Sequence, residues 1–405
     1  MAQLQGIEYL RRRLGVKQHR VRLRYSYYEM KHQAFDFGIS SPPELRRWMS
    51  TLGWCGKAVD SLADRLQFDG FRDDNFDLAT IYQMNNPDTI FDSAILSALV
   101  ASCCFIYITQ DDDDYPRLQV LDGSRATGII DPFTGLLTEG YAIIEEDVNH
   151  NPTAEAYLTA GKTEIYRGGK KTDVVTYDMD WPLLVPIIYR PDAVRPFGHS
   201  RISRACMSIV GSAMRTVKRS EIAAEFYSYP QKYVVGLSEN AERMDKWKAT
   251  MSAMMSFTKD EDGDSPTLGQ FSQQSMTPHT EQLRMFAALF AGETGLTLDD
   301  LGFVTDNPSS AEAIKASHET LRLMARKAQR NFGSGFLNAG YLAACLRDGQ
   351  RYRRQQLYLT KPQWLPIFEP DASTLSLIGD GAIKLNQAAP GYMDEERLHR
   401  LTGLE

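Results

Sequence analysis

PDAVRPFGHSRISRACMSIVGSAMRTVKRSEIAAEFYSY, residues 191 to 229, is the stretch on which the fold turns. Pro196, Phe197 and Gly198 spell a turn. After them the pattern is helical until Pro230, with only Gly211 to interrupt it. Apolar or small residues recur at Ile202, Cys206, Ile209, Ala213, Val217, Ala224 and Phe226, close to helical spacing. Arg201, Arg204, Arg215, Lys218 and Arg219 fill much of the rest, and Ser200 is the expected N-cap. About thirty helical residues would span roughly 45 Å, which suits a strut.

Downstream, Gln231–Gly236 reads as a strand, Glu239 to about Ala253 as a helix, and Lys259–Thr280 as an exposed polar loop or hairpin. A second helix, Glu281–Gly292, returns. Helix out, small polar module, helix back is a stalk with a tip. GETGLTLDDLGFVTDNPS, residues 292 to 309, is a loop with one Leu-rich turn. A helix then starts at Ser309 or Ser310 with Glu312 in its first turn, where a carboxylate favours the helix dipole. It runs to about Phe332, and residues 333–357 continue helically through the basic RDGQRYRRQQ. LYLTKPQWLPIFEP reads as a returning strand, and Thr374–Glu405 as a short helical tail.

Upstream, residues 1–40 read as an exposed helical arm with basic clusters and tyrosine anchors. A helix over Pro43 to about Leu66 would carry Leu45, Trp48, Met49, Leu52, Val59, Leu62 and Leu66 on its apolar side. Asp73–Asn86 and Pro87–Ala101 read as two more helices. From about Cys103 to Tyr189, short alternating or apolar runs separated by Gly, Asp, Asn and Pro predict an antiparallel β region laid on these helices. The fold class is α+β.

The chain has 405 residues, enough for two or three domains; 43% are hydrophobic and 24% charged, as in a globular protein. A net charge of −7 leaves no global basic footprint for gripping nucleic acid. Five scattered cysteines without metal spacing read as reduced thiols in a cytosolic setting. The N-terminus has no apolar core of a secretory signal. Ser93–Gln110 is uncharged and just long enough to span a membrane, but its serines and its β-branched second half predict a buried helix running into a buried strand.

Fragments of catalytic motifs fall short. Ala160-Gly161-Lys162-Thr163 ends like a phosphate loop, yet Ala156 stands where its first glycine belongs, so a β-turn is expected. Gly198-His199-Ser200 lacks the second glycine of a nucleophile elbow. Asp260, Asp262 and Asp264 hint at a calcium loop whose closing carboxylate is replaced by Phe271. The Asp111–Asp114 run reads as hydrated carboxylates. No cofactor, metal or catalytic residue is expected.

Three motifs in order resemble the portal proteins of tailed bacteriophages of the siphovirus kind. VDSLADRLQFDGFR (59–72) is similar to the family's wing helix and following turn. PFGHSRISRACMSIVGSAMRTVKRSEIAAEF with YPQKYVVG is similar to the start of its stem helix and the strand leading into its clip. NPSSAEAIKASHETLRLMARKAQRNF is similar to the segment after its tunnel loop. The resemblance implies a wing over 1–190, a stem helix over 191–228, a clip over 229–278, a second stem helix over 279–293, a tunnel loop and following helix over 294–335, a return to the wing over 336–371, and a short crown over 372–405.

It further implies a non-enzymatic homo-oligomer, a ring usually of twelve, at one vertex of the virion capsid and assembled in the host cytoplasm. Its implied partners are double-stranded DNA in the channel, the terminase large subunit, a head–tail adaptor or connector, and the major capsid and scaffolding proteins, with no membrane. Thr297, Asp299, Asp300, Thr305, Asp306 and Asn307 would line the channel, and Arg201, Arg204, Arg215, Lys218 and Arg219 would meet DNA or neighbouring subunits. An acidic loop suits a channel through which DNA slides, because each neutralised phosphate adds affinity. The alternatives are a metal-dependent nucleic-acid enzyme using the aspartate clusters, and a capsid-associated adaptor.

Overall fold

The computed structural model describes residues 4–37, 43–228, 232–235, 267–270, 275–303, 316–368, 370 and 372–402. Among the described residues helices hold 47% and strands 21%, so neither element alone builds the fold and the class is mixed. The chain divides into two units, residues 33–52 with 208–290, and the remainder.

Among the described residues the larger unit holds three antiparallel sheets, of three, five and two strands. Cys103–Gln110 (β2) lies between Pro116–Asp122 (β3) and Leu184–Ile188 (β9). As the central strand it is buried from Cys103 to Ile108, which is why CCFIYI runs apolar instead of alternating. Ala126–Ile130, Leu137–Glu146, Pro152–Thr159, Lys162–Arg167 and Lys170–Thr176 (β4 to β8) form a meander in chain order. The last strand is exposed throughout and carries Lys170 and Lys171, charges that discourage pairing at an open edge. Ala160-Gly161-Lys162-Thr163 is the tight turn between β6 and β7, as expected, with Thr159 opposite Lys162. Pro87–Ala101 (α4) runs straight into β2, so Ser93–Gln110 is a helix and then a strand. Among the described residues no helix is long and apolar enough to cross a membrane. All five cysteines are unpaired and buried.

The N-terminal arm differs from expectation. Ile7–Tyr28 (α1) packs on the meander, with Leu10 and Leu14 against Tyr141 and Ile143. Glu139 of β5 accepts from the backbone N–H groups of Gln5 (2.7 Å) and Gly6 (2.9 Å), satisfying donors at the helix start, and from Tyr157 Oη at 2.8 Å. Glu155 of β6 accepts from Arg11 Nη2 at 2.5 Å and from Tyr141 Oη.

Helix Pro43–Leu66 is not continuous. Pro43–Leu45 is one 3-10 turn, and Trp54–Ala63 (α2) starts only after Gly53. The chain passes from one unit to the other at residue 52, which breaks the helix and leaves Trp48 and Met49 exposed. The helix over Asp73–Asn86 shrinks to Leu78–Gln83 (α3): Asp73 and Asp77 take positive φ, and Asp74 accepts from Phe76 and Ala79 N–H groups in the turn before it.

Glu319–Asp348 (α7) is one helix of 30 residues, and the helical continuation expected over 333–357 ends at Asp348, with Gly349 in the left-handed conformation as its cap. Its small residues let it lie close to the strands. A Cβ on Gly335 would fall 2.7 Å from Ile187 Cδ1, and one on Gly333 would fall 2.7 Å from Pro362 Cγ. The returning strand is short, Lys361–Trp364 (β12), paired with Phe68–Arg72 (β1). The tail is two helices, Ala372–Ala388 (α8) and Glu395–Thr402 (α9).

Candidate functional site

The quoted stretch folds as a turn, a buried link and a helix. Gly198 N–H donates to Arg195 O at 2.8 Å, and His199 N–H to Tyr189 O at 3.0 Å. His199 Nε2 meets Asp192 Oδ2 at 2.6 Å, a contact that lowers the Asp192 carboxyl pKa. The helix, Arg204–Ser228 (α5), starts later than expected. Ser200 is not its cap: buried, it donates to Val100 O at 2.6 Å and accepts from Ile202 N–H at 2.9 Å. Ser203 takes the capping role, accepting from Cys206 N–H at 3.1 Å. Ser200 has none of the exposure a nucleophile elbow needs.

The return helix is Thr277–Thr294 (α6). Ser203 Oγ donates to Glu293 Oε1 at 2.8 Å and Thr216 Oγ1 to Gln282 Oε1 at 2.9 Å. Partner numbers rise on one helix as they fall on the other, so the two run antiparallel. Lys232–Val235 (β10) and Thr267–Gln270 (β11) form an antiparallel pair between them in sequence. The expected helix from Glu239 to Ala253 and the calcium-like aspartates 260, 262 and 264 lie outside the described residues.

The five basic residues separate by environment. Arg201 is only 5% exposed; its Nε donates to Ala58 O at 3.0 Å, and burial lowers its pKa. It is an internal strut that ties the link to Ala58. Arg204 is exposed. Arg215 stacks over the Phe37 ring at 5.0 Å. Lys218 is buried and donates to Asp36 Oδ2 at 2.6 Å and to Arg46 O at 3.0 Å, tying the helix to the 33–52 segment. Arg219 lines a 380 Å³ cavity with Arg47, Trp48 and Arg215. Lys218→Met is therefore expected to loosen that segment at a cost of about 2 kcal/mol. Limited proteolysis should then cut within residues 33–52 faster than in the parent; unchanged cutting would show the pair holds nothing.

The loop after α6 closes on itself. Asp300 Oδ2 accepts from Thr297 N–H and Oγ1–H, both at 2.9 Å, and Asp300 N–H donates to Thr297 Oγ1 at 3.1 Å. These bonds frame the single turn Asp299–Leu301, with Leu296 and Leu301 buried and Asp299 exposed. His318 Nδ1 stands 3.8 Å from Asp300 Oδ2. Thr305, Asp306 and Asn307 lie outside the described residues.

Asp111 is committed to structure. It accepts from the Asp113 and Tyr115 N–H groups and from Arg117 Nε at 2.8 Å, closing the β2–β3 hairpin; the Tyr115 bond is the chief cause of its lowered carboxyl pKa. Among the described residues no group of three or more His, Cys, Asp or Glu is placed to hold a metal. Sequence reading missed Glu139 and Glu155. A lone carboxylate inside an apolar alternation, as in TEGYAII and AEAYLT, is the signal that would have found them.

No family model matches the chain. The portal protein of Mycobacterium phage D29 is 24% identical over 401 residues, covering 93% of this chain and 81% of that protein. This chain is similar to phage portal proteins. The portal protein of Mycobacterium phage L5 is likewise 24% identical over 395 residues, covering 92% of this chain and 80% of its own length. The portal resemblance read from the three motifs names the same family. Among solved structures, a chain from the neck of an empty GTA particle computed with C6 symmetry matches with a TM-score of 0.49 and 14% identity, over 87% of this chain and 90% of that one. A chain from the virion of a native gene transfer agent particle matches with a TM-score of 0.45 at the same identity and coverage.

Proposed function

We propose that this chain is a phage portal protein, a subunit of a ring at one capsid vertex through which double-stranded DNA is packaged and ejected. The carrying observation is similarity to two portal proteins over more than nine-tenths of the chain. The antiparallel pair α5 and α6, joined through a small strand pair, supports their assignment as stem helices, with the clip over 229–278. Residues 1–190 and 336–371 are then the wing, and 372–405 a short crown. The turn at Thr297, Asp299 and Asp300 is assigned to the tunnel loop, with Thr305, Asp306 and Asn307 beyond it. Arg204 and Arg219 are the basic stem residues left for DNA or a neighbouring copy. The role is structural, with the motor chemistry supplied by a docked terminase; head–tail connector, capsid and scaffolding proteins are the further partners.

Light scattering on purified protein tests this. A closed ring many times the 45.7 kDa of one chain is expected, with a central hole in negative stain. A monomer that persists at every concentration and salt tried would overturn the reading.

A further inference from the structure

A basic groove runs beside the N-terminal half of α7. Two adjoining cavities, of 680 and 490 Å³, share Arg326, Gln329, Pro362 and Trp364 in their walls. Six cations line the pair, Arg72, Arg322, Arg326, Lys327, Arg330 and Lys361, against one carboxylate, Asp69. Arg322 is held by Glu319 through two bonds of 2.6 Å, Arg72 reaches Asp73 at 3.3 Å, and Asp69 faces His399 at 3.9 Å. Arg326, Lys327 and Arg330 are exposed and, among the described residues, carry no ion pair. A cationic stripe on a chain of net charge −7 is not a by-product of composition.

The geometry is linear. Arg322, Arg326 and Arg330 stand four residues apart on one helix, so successive guanidinium stems rise by about 6 Å along a rigid rod. Lys361 and the flat Pro362 and Trp364 surfaces of β12 form the facing wall. A row of evenly spaced point charges beside an aromatic plane, open along two cavities, fits a polyanion whose charges repeat at a fixed interval.

We propose that this groove binds the phosphate backbone of nucleic acid without reading its sequence. The inference is drawn from the groove alone and stands without the portal reading. Binding comes from release of condensed counterions as the arginines and lysines replace them.

The test is fluorescence anisotropy with a labelled 20-base-pair DNA duplex, its separate single strand, and polyglutamate as competitor, across a salt series. The parent should bind DNA with a steep salt dependence. Arg326→Gln/Arg330→Gln/Lys361→Gln should weaken binding at least roughly thirtyfold and flatten the slope by about 2.7, at about 0.9 for each lost phosphate contact. Arg12→Gln/Arg22→Gln/Lys170→Gln removes as many exposed charges elsewhere and should change little. The double variant Arg326→Gln/Arg330→Gln, which leaves the sheet untouched, keeps the test decisive if the triple variant fails to fold. Equal losses from groove and control variants, no DNA binding by the parent, or stronger competition by polyglutamate than by DNA would each overturn the proposal. A groove variant that still forms rings but keeps full DNA affinity sinks the groove and leaves the portal reading standing.

Discussion

Glu155→Ala should destabilise the larger unit by about 3 kcal/mol. Glu155 is 8% exposed and sits on the face of the meander that α1 covers. Its carboxylate takes Arg11 Nε at 3.1 Å, Arg11 Nη2 at 2.5 Å and the Tyr141 hydroxyl. Burial pushes the Tyr141 hydroxyl pKa up, and the bond to Glu155 pushes it further, so the phenol stays a donor. Truncation strands both donors against a sheet. Breaking a fully buried pair costs about 3–5 kcal/mol; the Arg11 side chain is 26% exposed, so the lower end applies. Glu155→Gln keeps one acceptor and should cost about half as much. Urea unfolding followed by circular dichroism reads the change, and Arg11→Ala combined with Glu155→Ala should cost clearly less than the two changes added. A loss below about 0.5 kcal/mol for Glu155→Ala would mean that Leu10, Leu14 and the Glu139 bonds hold α1 without help from this carboxylate.

The meander was legible because its strands are short alternating or apolar runs separated by turn residues: LTEGYAIIEE is β5 at both ends. The α4-to-β2 passage was legible because a long apolar helix gives way to a β-branched run. Where reading failed, a side chain outcompeted periodicity. Trp48, Met49 and Leu52 keep helical spacing, but residues 33–52 leave the larger unit and the helix ends with them. Ser200 looked like a cap from its place before a helical run; Val100 O, about a hundred residues away, takes its hydroxyl. Arg201 and Lys218 looked like surface cations because sequence shows charge and not depth, and each is buried on a partner distant in the chain. The groove on α7 escaped notice for the same reason: Lys361 and Trp364 join the arginines only through tertiary packing.

Gly198→Ala should be the most damaging alanine substitution among the described glycines. Gly198 has φ +71°, where a side chain costs about 1–2 kcal/mol in any surroundings. Here an added Cβ would also fall 2.0 Å from Tyr189 O and 2.8 Å from Ile188 Cγ2. Neither is a flexible tip. Tyr189 O is backbone just past β9 and already accepts the His199 N–H at 3.0 Å. Relief requires breaking that bond or shifting the strand end, and Tyr189 N–H is itself tied to Ser102 O at 2.9 Å. Conformational and steric costs together come to about 3–5 kcal/mol. The damage reaches α5, because Arg201 N–H to Leu99 O and Ser200 to Val100 O fix the link only while the turn holds. The control is Gly211→Ala, one turn of chemistry with the opposite sign. Gly211 lies inside α5 with Arg215 Nη1 at 3.8 Å as its nearest atom, so alanine should stabilise the helix by about 0.5–1 kcal/mol. Soluble yield and urea midpoints of the two variants measure both effects, and on the portal reading Gly198→Ala should abolish ring formation while Gly211→Ala preserves it. Comparable midpoints for the two would mean that the Pro196–Gly198 turn does not set where the long helix begins.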